Sequence, residues 1–139
     1  MGWDRRRKAR GFTLIELLIM CFILGVLASV LMTNFKIAII KTRAVACKSN
    51  LRNIAMSLQM YYNDSDGFYP SSLNYVTPHY MKLLPRCPAA GLDTYSEGYE
   101  IREDCKAFTV NCKGSYHIEY GYKADEPYYT SAGGLFPLK

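Results

Sequence analysis

The spacing of apolar residues changes along this chain. From Phe12 to Met32 they are nearly continuous, with Glu16 the one charge in the run. At 1.5 Å rise per residue this run spans a bilayer core of about 30 Å, so it predicts a membrane-crossing helix. Ile37 to Ile40 carry the helical character onward. From Lys41 the apolar positions Ala44, Cys47, Leu51, Ile54, Leu58 and Tyr61 recur every three or four residues. Lys41, Arg43, Lys48, Arg52 and Gln59 occupy the other faces, an amphipathic pattern. No proline lies between Phe12 and Tyr62, which predicts one helix of roughly fifty residues, 75–80 Å long. Its first half is hydrophobic all round. Its second half is one-sided and must lie on something.

Asn63-Asp64-Ser65-Asp66-Gly67 supplies the stop, since Asn and Gly take the left-handed terminating conformation. A calcium loop at Asp64-x-Asp66-Gly67 fails in register, because its first and twelfth positions would be Tyr62 and Leu73. Prolines 70, 78 and 85 punctuate the next stretch, where Leu73, Val76, Tyr80, Met81 and Leu84 predict one or two short helical turns. Arg86 to Gly91 is a turn-rich connector. Tyr95, Tyr99 and Ile101, then Ala107 to Cys112, predict an antiparallel hairpin reversing at Glu103-Asp104. Tyr116 to Tyr120 alternates as a third strand would, and Lys123 to Lys139 reads as loop. The expected fold is α+β: one long N-terminal helix whose outer half packs on a small antiparallel sheet.

Charge sharpens this picture. The chain has 139 residues, room for one domain, and a formal net charge of +5. Five of its seventeen basic residues and one of its twelve acidic ones precede Gly11, leaving twelve against eleven. The body is therefore near neutral, which argues against a broad nucleic-acid-binding face. The basic leader Met1–Arg10 belongs on the cytoplasmic side, placing the C-terminal part outside. An ordinary secretory signal fits less well: the apolar region exceeds the usual 7–15 residues and no A-x-A site closes it. Glu16 is the anomaly, because a charge at bilayer depth costs on the order of 2.5–3.5 kcal/mol and so needs a partner.

Of the five cysteines, Cys21 lies in the apolar run and reads as a small packed hydrophobe. Cys47, Cys87, Cys105 and Cys112 are an even set in an exported domain, which favours disulfides, with three pairings open. Zinc is the competing reading. Spacings of 40, 18 and 7 with no C-x-x-C pair fit no standard site, so no metal is expected. His79 and His117 lie in no recognisable motif, and no glycine-rich phosphate loop, H-E-x-x-H or G-x-S-x-G occurs. A Cys112–His117 nucleophile pair is conceivable but disfavoured in an oxidising compartment. No cofactor and no catalysis are expected.

The basic leader followed by Gly11-Phe12-Thr13-Leu14-Ile15-Glu16-Leu17-Leu18 and a long apolar helix resembles the processing motif of type IV prepilins and prepseudopilins. Cys47-Lys48-Ser49-Asn50-Leu51 through Gly67-Phe68-Tyr69-Pro70 and Leu84-Pro85-Arg86-Cys87-Pro88 is similar to short pilins that share features with major pseudopilins of type II secretion. The resemblance implies a leader at 1–11, a transmembrane and filament-core helix at 12–35, and a pilin-like periplasmic or extracellular head at 36–139. It implies that a prepilin peptidase and methyltransferase in the inner membrane cuts between Gly11 and Phe12 and methylates the new amine. It implies further that Glu16 sits beside a neighbour's N-terminus in the filament. The partners would be other copies of the chain and a pilus or secretion assembly platform. Cys87 with Cys112 resembles the commoner disulfide, leaving Cys47 and Cys105. The calcium loop usual in major pseudopilins has no convincing ligand set, although Asp125 and Glu126 lie in the right region. Where many members carry a proline, this chain reads Leu31-Met32-Thr33-Asn34, with Gly25 as the one intrinsic weak point. The role expected is a pilus subunit, with a secretion pseudopilin, or a minor tip subunit in adhesion or DNA uptake, as alternatives.

Overall fold

The computed structural model describes residues 11–137 except Glu103, and the side chain of Thr33 is also outside the described set. The leader Met1–Arg10 and the Glu103 half of the predicted reversal therefore lie outside the described residues. Helix α1 runs Leu14–Asp64, 51 residues without a break, including the proline-free stretch at 31–34. Two compact units divide the chain, Met1–Ile37 and Ala38–Lys139.

In the first unit, side chains that would form a core in water lie open. Leu14 is 82% exposed, and Phe12, Phe22, Leu24 and Phe35 are similarly uncovered. The most apolar 18-residue window of α1 has mean hydropathy 2.7 with none of it buried. By length and composition this helix can cross a membrane. Helices apolar on every side belong in such a setting or inside an assembly.

In the second unit the one-sided stripe is covered as its spacing requires. Ala44, Cys47, Leu51, Ile54 and Leu58 are fully buried, and Tyr61 is half-buried at the end of the stripe. Cys47, Leu51, Ile54 and Leu58 pack with Tyr69, Leu73, Val76, Tyr95, Phe108, Val110 and Leu135 in one cluster, and Tyr61 lies against it. The helix stops where Asp66 and Gly67 turn left-handed (φ +51° and +82°), and Gly67 N–H donates to the Tyr62 carbonyl at 3.1 Å. Leu73–Val76 forms the expected short turn, a 3₁₀ helix opened by Ser72, whose hydroxyl accepts from Asn74 N–H.

The sheet is an antiparallel meander of four strands: β1 (Tyr99–Arg102), β2 (Ala107–Asn111), β3 (Tyr128–Thr130) and β4 (Gly134–Phe136). Tyr99 faces Val110 and Ile101 faces Phe108 across β1–β2, while Val110 faces Tyr129 and Tyr129 faces Leu135 further on. Phe108, Val110 and Leu135 thus point to one side, onto the helix stripe. Close approach fixes one corner. Gly98 N–H bonds the Tyr95 carbonyl, and a Cβ at Gly98 would run into the Asn111 carbonyl and side chain.

Two expectations fail here. Tyr116 to Tyr120 is no third strand: Ile118–Tyr120 is a 3₁₀ turn between Gly114 (φ +111°) and Gly121 (φ +94°). The supposed loop after Lys123 instead contributes β3 and β4. Alternation at 116–120 was a true local signal, but the free edge of β2 goes to Tyr128–Thr130 through Thr109–Thr130 and Asn111–Tyr128. Three-residue strands among Pro127, Gly133 and Gly134 carry too little pattern to be read locally. Cross-strand pairing decides them.

Candidate functional site

Two constellations hold chemistry, one in each unit. At the start of α1, Gly11, Phe12 and Thr13 precede the first helical turn. The Glu16 carboxylate accepts from Thr13 N–H at 2.9 Å and from the Thr13 hydroxyl at 2.7 Å, and that hydroxyl sits 3.4 Å from Glu16 N–H. This is a reciprocal capping box, which satisfies orphan donors of the first turn and places negative charge at the positive end of the helix. Thr13 was therefore missed as a functional neighbour of Glu16. Its signature, Thr-x-x-Glu before an apolar run, was legible. Gly11, the proposed cut site, carries no side chain, and nothing lies within 4 Å of where a Cβ would stand.

The second constellation is buried. Sγ of Cys47, Cys87 and Cys112 and a ring nitrogen of His117 all lie within 4.8 Å of one another. Cys87 Sγ is 3.5 Å from Cys112 Sγ and 3.4 Å from His117 Nε2. Exposure is 0% for Cys47 and Cys87, 1% for Cys112 and 3% for His117. Four chain segments deliver them. Cys47 lies on the buried stripe of α1. Cys87 opens a turn in which its N–H bonds the Leu92 carbonyl and its carbonyl accepts from Gly91. Cys112 immediately follows β2, and His117 precedes the 3₁₀ turn at Ile118–Tyr120.

Two of the sulfurs have a hydroxyl neighbour from outside the cluster. The Tyr95 hydroxyl donates to Cys47 Sγ at 3.3 Å, and the Thr94 hydroxyl is 3.1 Å from Cys112 Sγ. Hydrogen bonds from Cys112 and Cys47 hold Cys87 far below the usual thiol range. Cys47 is driven far above it by its bonds to Cys112 and Cys87 and by burial. At Cys112 the pull of Cys47 downward is outweighed by Cys87 and burial, leaving it at about 11. Three thiolates so close in a dry site would require a cation.

The candidate cysteines thus divide unexpectedly. Cys47, Cys87 and Cys112 come together, whereas Cys105 sits apart, half-buried at the β1–β2 turn with φ +66°. Cys21 is exposed on the apolar part of α1. His117, which the sequence left in no motif, completes the cluster. Spacing rules missed it because the four residues meet through tertiary packing rather than through a local knuckle. Asp125 and Glu126 act as turn caps: Asp125 accepts from Gly114 N–H at 2.8 Å and Glu126 from Lys123 N–H at 2.9 Å. His79 is placed beside Tyr80, with ring centroids 6.3 Å apart.

The N-terminal constellation has counterparts in known proteins. The prokaryotic N-terminal methylation motif, a prepilin signature, matches residues 6–32. The chain is also 34% identical, over 68 residues, to the type II secretion system core protein G of Pseudomonas aeruginosa. That alignment covers 49% of this chain and 47% of the relative, so the chain spans about half the length of the relative it matches. No solved structure matches it.

Proposed function

We propose that this chain is a structural subunit of a type IV pilus or pilus-like filament. It is made as an inner-membrane precursor, cut after Gly11 by a prepilin peptidase and methylated on the new amine of Phe12. The observation that carries this reading is Gly11-Phe12-Thr13-Leu14-Ile15-Glu16 at the mouth of an uncovered apolar helix, inside the matched motif. In this reading residues 1–11 are the leader, 12–35 the anchor and later the filament core, and 36–139 the displayed head. Its role is packing rather than catalysis.

Glu16 explains how subunits find their register. Before assembly the capping box keeps one carboxylate oxygen, Oε2, hydrogen-bonded twice by Thr13. In the filament a neighbour's Phe12 ammonium would pair with it away from water. Removing one partner of such a pair strands a buried charge at about 3–5 kcal/mol, so misregistered subunits are rejected. Mass spectrometry of the mature chain tests the reading. N-methylated Phe12 at the terminus is expected, and an intact leader overturns it.

The similarity to a type II secretion core protein supports a second reading, a major pseudopilin. A deletion strain separates the two. Loss of surface filaments marks a pilus subunit, and loss of protein secretion with filaments retained marks a pseudopilin.

A further inference from the structure

We propose that Cys47, Cys87, Cys112 and His117 form a tetrahedral site for a zinc-type divalent cation, stapling the head domain together. This inference stands apart from the filament reading. It concerns only how the second unit holds its shape.

Geometry carries it first. Zn–S bonds of about 2.3 Å and Zn–N bonds of about 2.0–2.1 Å, set tetrahedrally, put ligand atoms about 3.6–3.8 Å apart. Here Cys87 Sγ lies 3.5 Å from Cys112 Sγ and 3.4 Å from His117 Nε2, and all four atoms fall within 4.8 Å. A slight expansion seats the ion. Three thiolates and one imidazole are a standard donor set of a closed structural zinc site.

Stoichiometry carries it next. A disulfide between any two of these cysteines leaves the third sulfur and the imidazole buried without an equivalent role. Cys105, the fourth residue that pairing would need, lies outside the cluster. A cation uses all four.

The surroundings make the third argument. The Tyr95 hydroxyl and the Thr94 hydroxyl address different sulfurs, Cys47 at 3.3 Å and Cys112 at 3.1 Å. Thiolates only accept hydrogen bonds, and outer-shell donors of this kind orient and stabilise metal-bound sulfur. A disulfide needs neither of them. Tyr95 is itself held by Asn50, whose amide lies 3.2 Å from its hydroxyl.

The position in the fold supplies a reason for the site. Cys87 lies in the irregular stretch between Val76 and Tyr99, and Cys112 and His117 lie between β2 and β3. Neither stretch has a sheet ladder, yet both must be held to α1. A unit of roughly a hundred residues with short strands gains much from one such staple. Binding displaces thiol protons, so uptake strengthens as pH rises.

The test uses the full chain in detergent, reduced and stripped of metal, then titrated with zinc or cobalt(II). About one zinc per chain is expected, with a rise in thermal midpoint of more than about 5 °C. Cobalt should give intense tetrahedral visible bands and a thiolate charge-transfer band. Cys105→Ser should keep both signals, and Cys112→Ser should lose them. Because Cys112→Ser could instead unfold the head, His117→Cys serves as a second variant. It should retain the tetrahedral bands and intensify the charge-transfer band. Two results overturn the proposal: no uptake or octahedral cobalt by the reduced wild-type chain, or a native chain isolated without metal and two hydrogens lighter through a Cys87–Cys112 disulfide.

Discussion

The two halves of α1 share one backbone and solve opposite problems. Between Leu14 and Ile37 the large apolar side chains lie open, and the polar groups satisfy themselves locally through the Thr13–Glu16 capping box. Between Ala38 and Asp64 a narrow stripe is sealed to 0–4% exposure, and the other faces mix polar side chains with a few exposed apolar ones such as Val45, Met56 and Met60. Helix propensity does not distinguish them. What differs is the partner each half awaits. The outer half finds its partner in its own chain, while the inner half, in our reading, finds it first in lipid and then in other copies. An uncovered surface in one part of a protein and a closed core in another can therefore be equally well designed.

The sharpest way to break this comparison is at the junction with the leader. Gly11→Ala should leave the precursor uncut, seen as retention of the leader on a gel, and normal maturation would remove the proposed site. Glu16→Ala should be processed normally yet fail to assemble, because a neighbour's Phe12 ammonium would then be buried unpaired at about 3–5 kcal/mol. Intact filaments from that variant would sink the register role. In the sealed half, Phe108→Ala should destabilise the head by about 3–5 kcal/mol, read by urea unfolding, with leader cleavage unchanged. Equal loss of cleavage would mean that the two halves are not independent. Tyr95→Phe is subtler. It removes the donor to Cys47 and should cost about 1 kcal/mol in the same assay.

The smallest effect concerns pH. Asp125 is held below its ordinary 3.8 by Gly114 N–H and then by Lys113. A depressed folded-state value adds stability above the unfolded value, which is lost as pH falls through the folded one. Asp125→Asn should flatten the stability curve below about pH 4, and an unchanged acid limb would assign that loss to other carboxylates.

Much of this was legible in the residues. The membrane-length run, the helix stop at Asp66-Gly67, the buried stripe from Ala44 to Leu58 and the β1–β2 hairpin all follow from local period and turn chemistry. The capping box was legible too, in Thr13-x-x-Glu16, though it is overshadowed by the charge problem at Glu16. The strand at 116–120 was misread because alternation says which residues suit a sheet, and not which segment wins its free edge. Tyr128–Thr130 won it through pairing with residues 109–111.

By itself, then, the sequence determined the elements whose causes are local: a helix that is apolar all round before it becomes one-sided, its caps, and the methylation-type motif at its mouth. These depend on neighbours within a few positions. Only the tertiary structure decided the sheet order and the company each cysteine keeps. Cys47, Cys87, Cys112 and His117 are brought together by packing a helix stripe, a loop and the end of a strand around one core. Contacts between residues far apart in sequence depend on how every intervening segment folds, so their spacing along the chain carries no trace of the meeting.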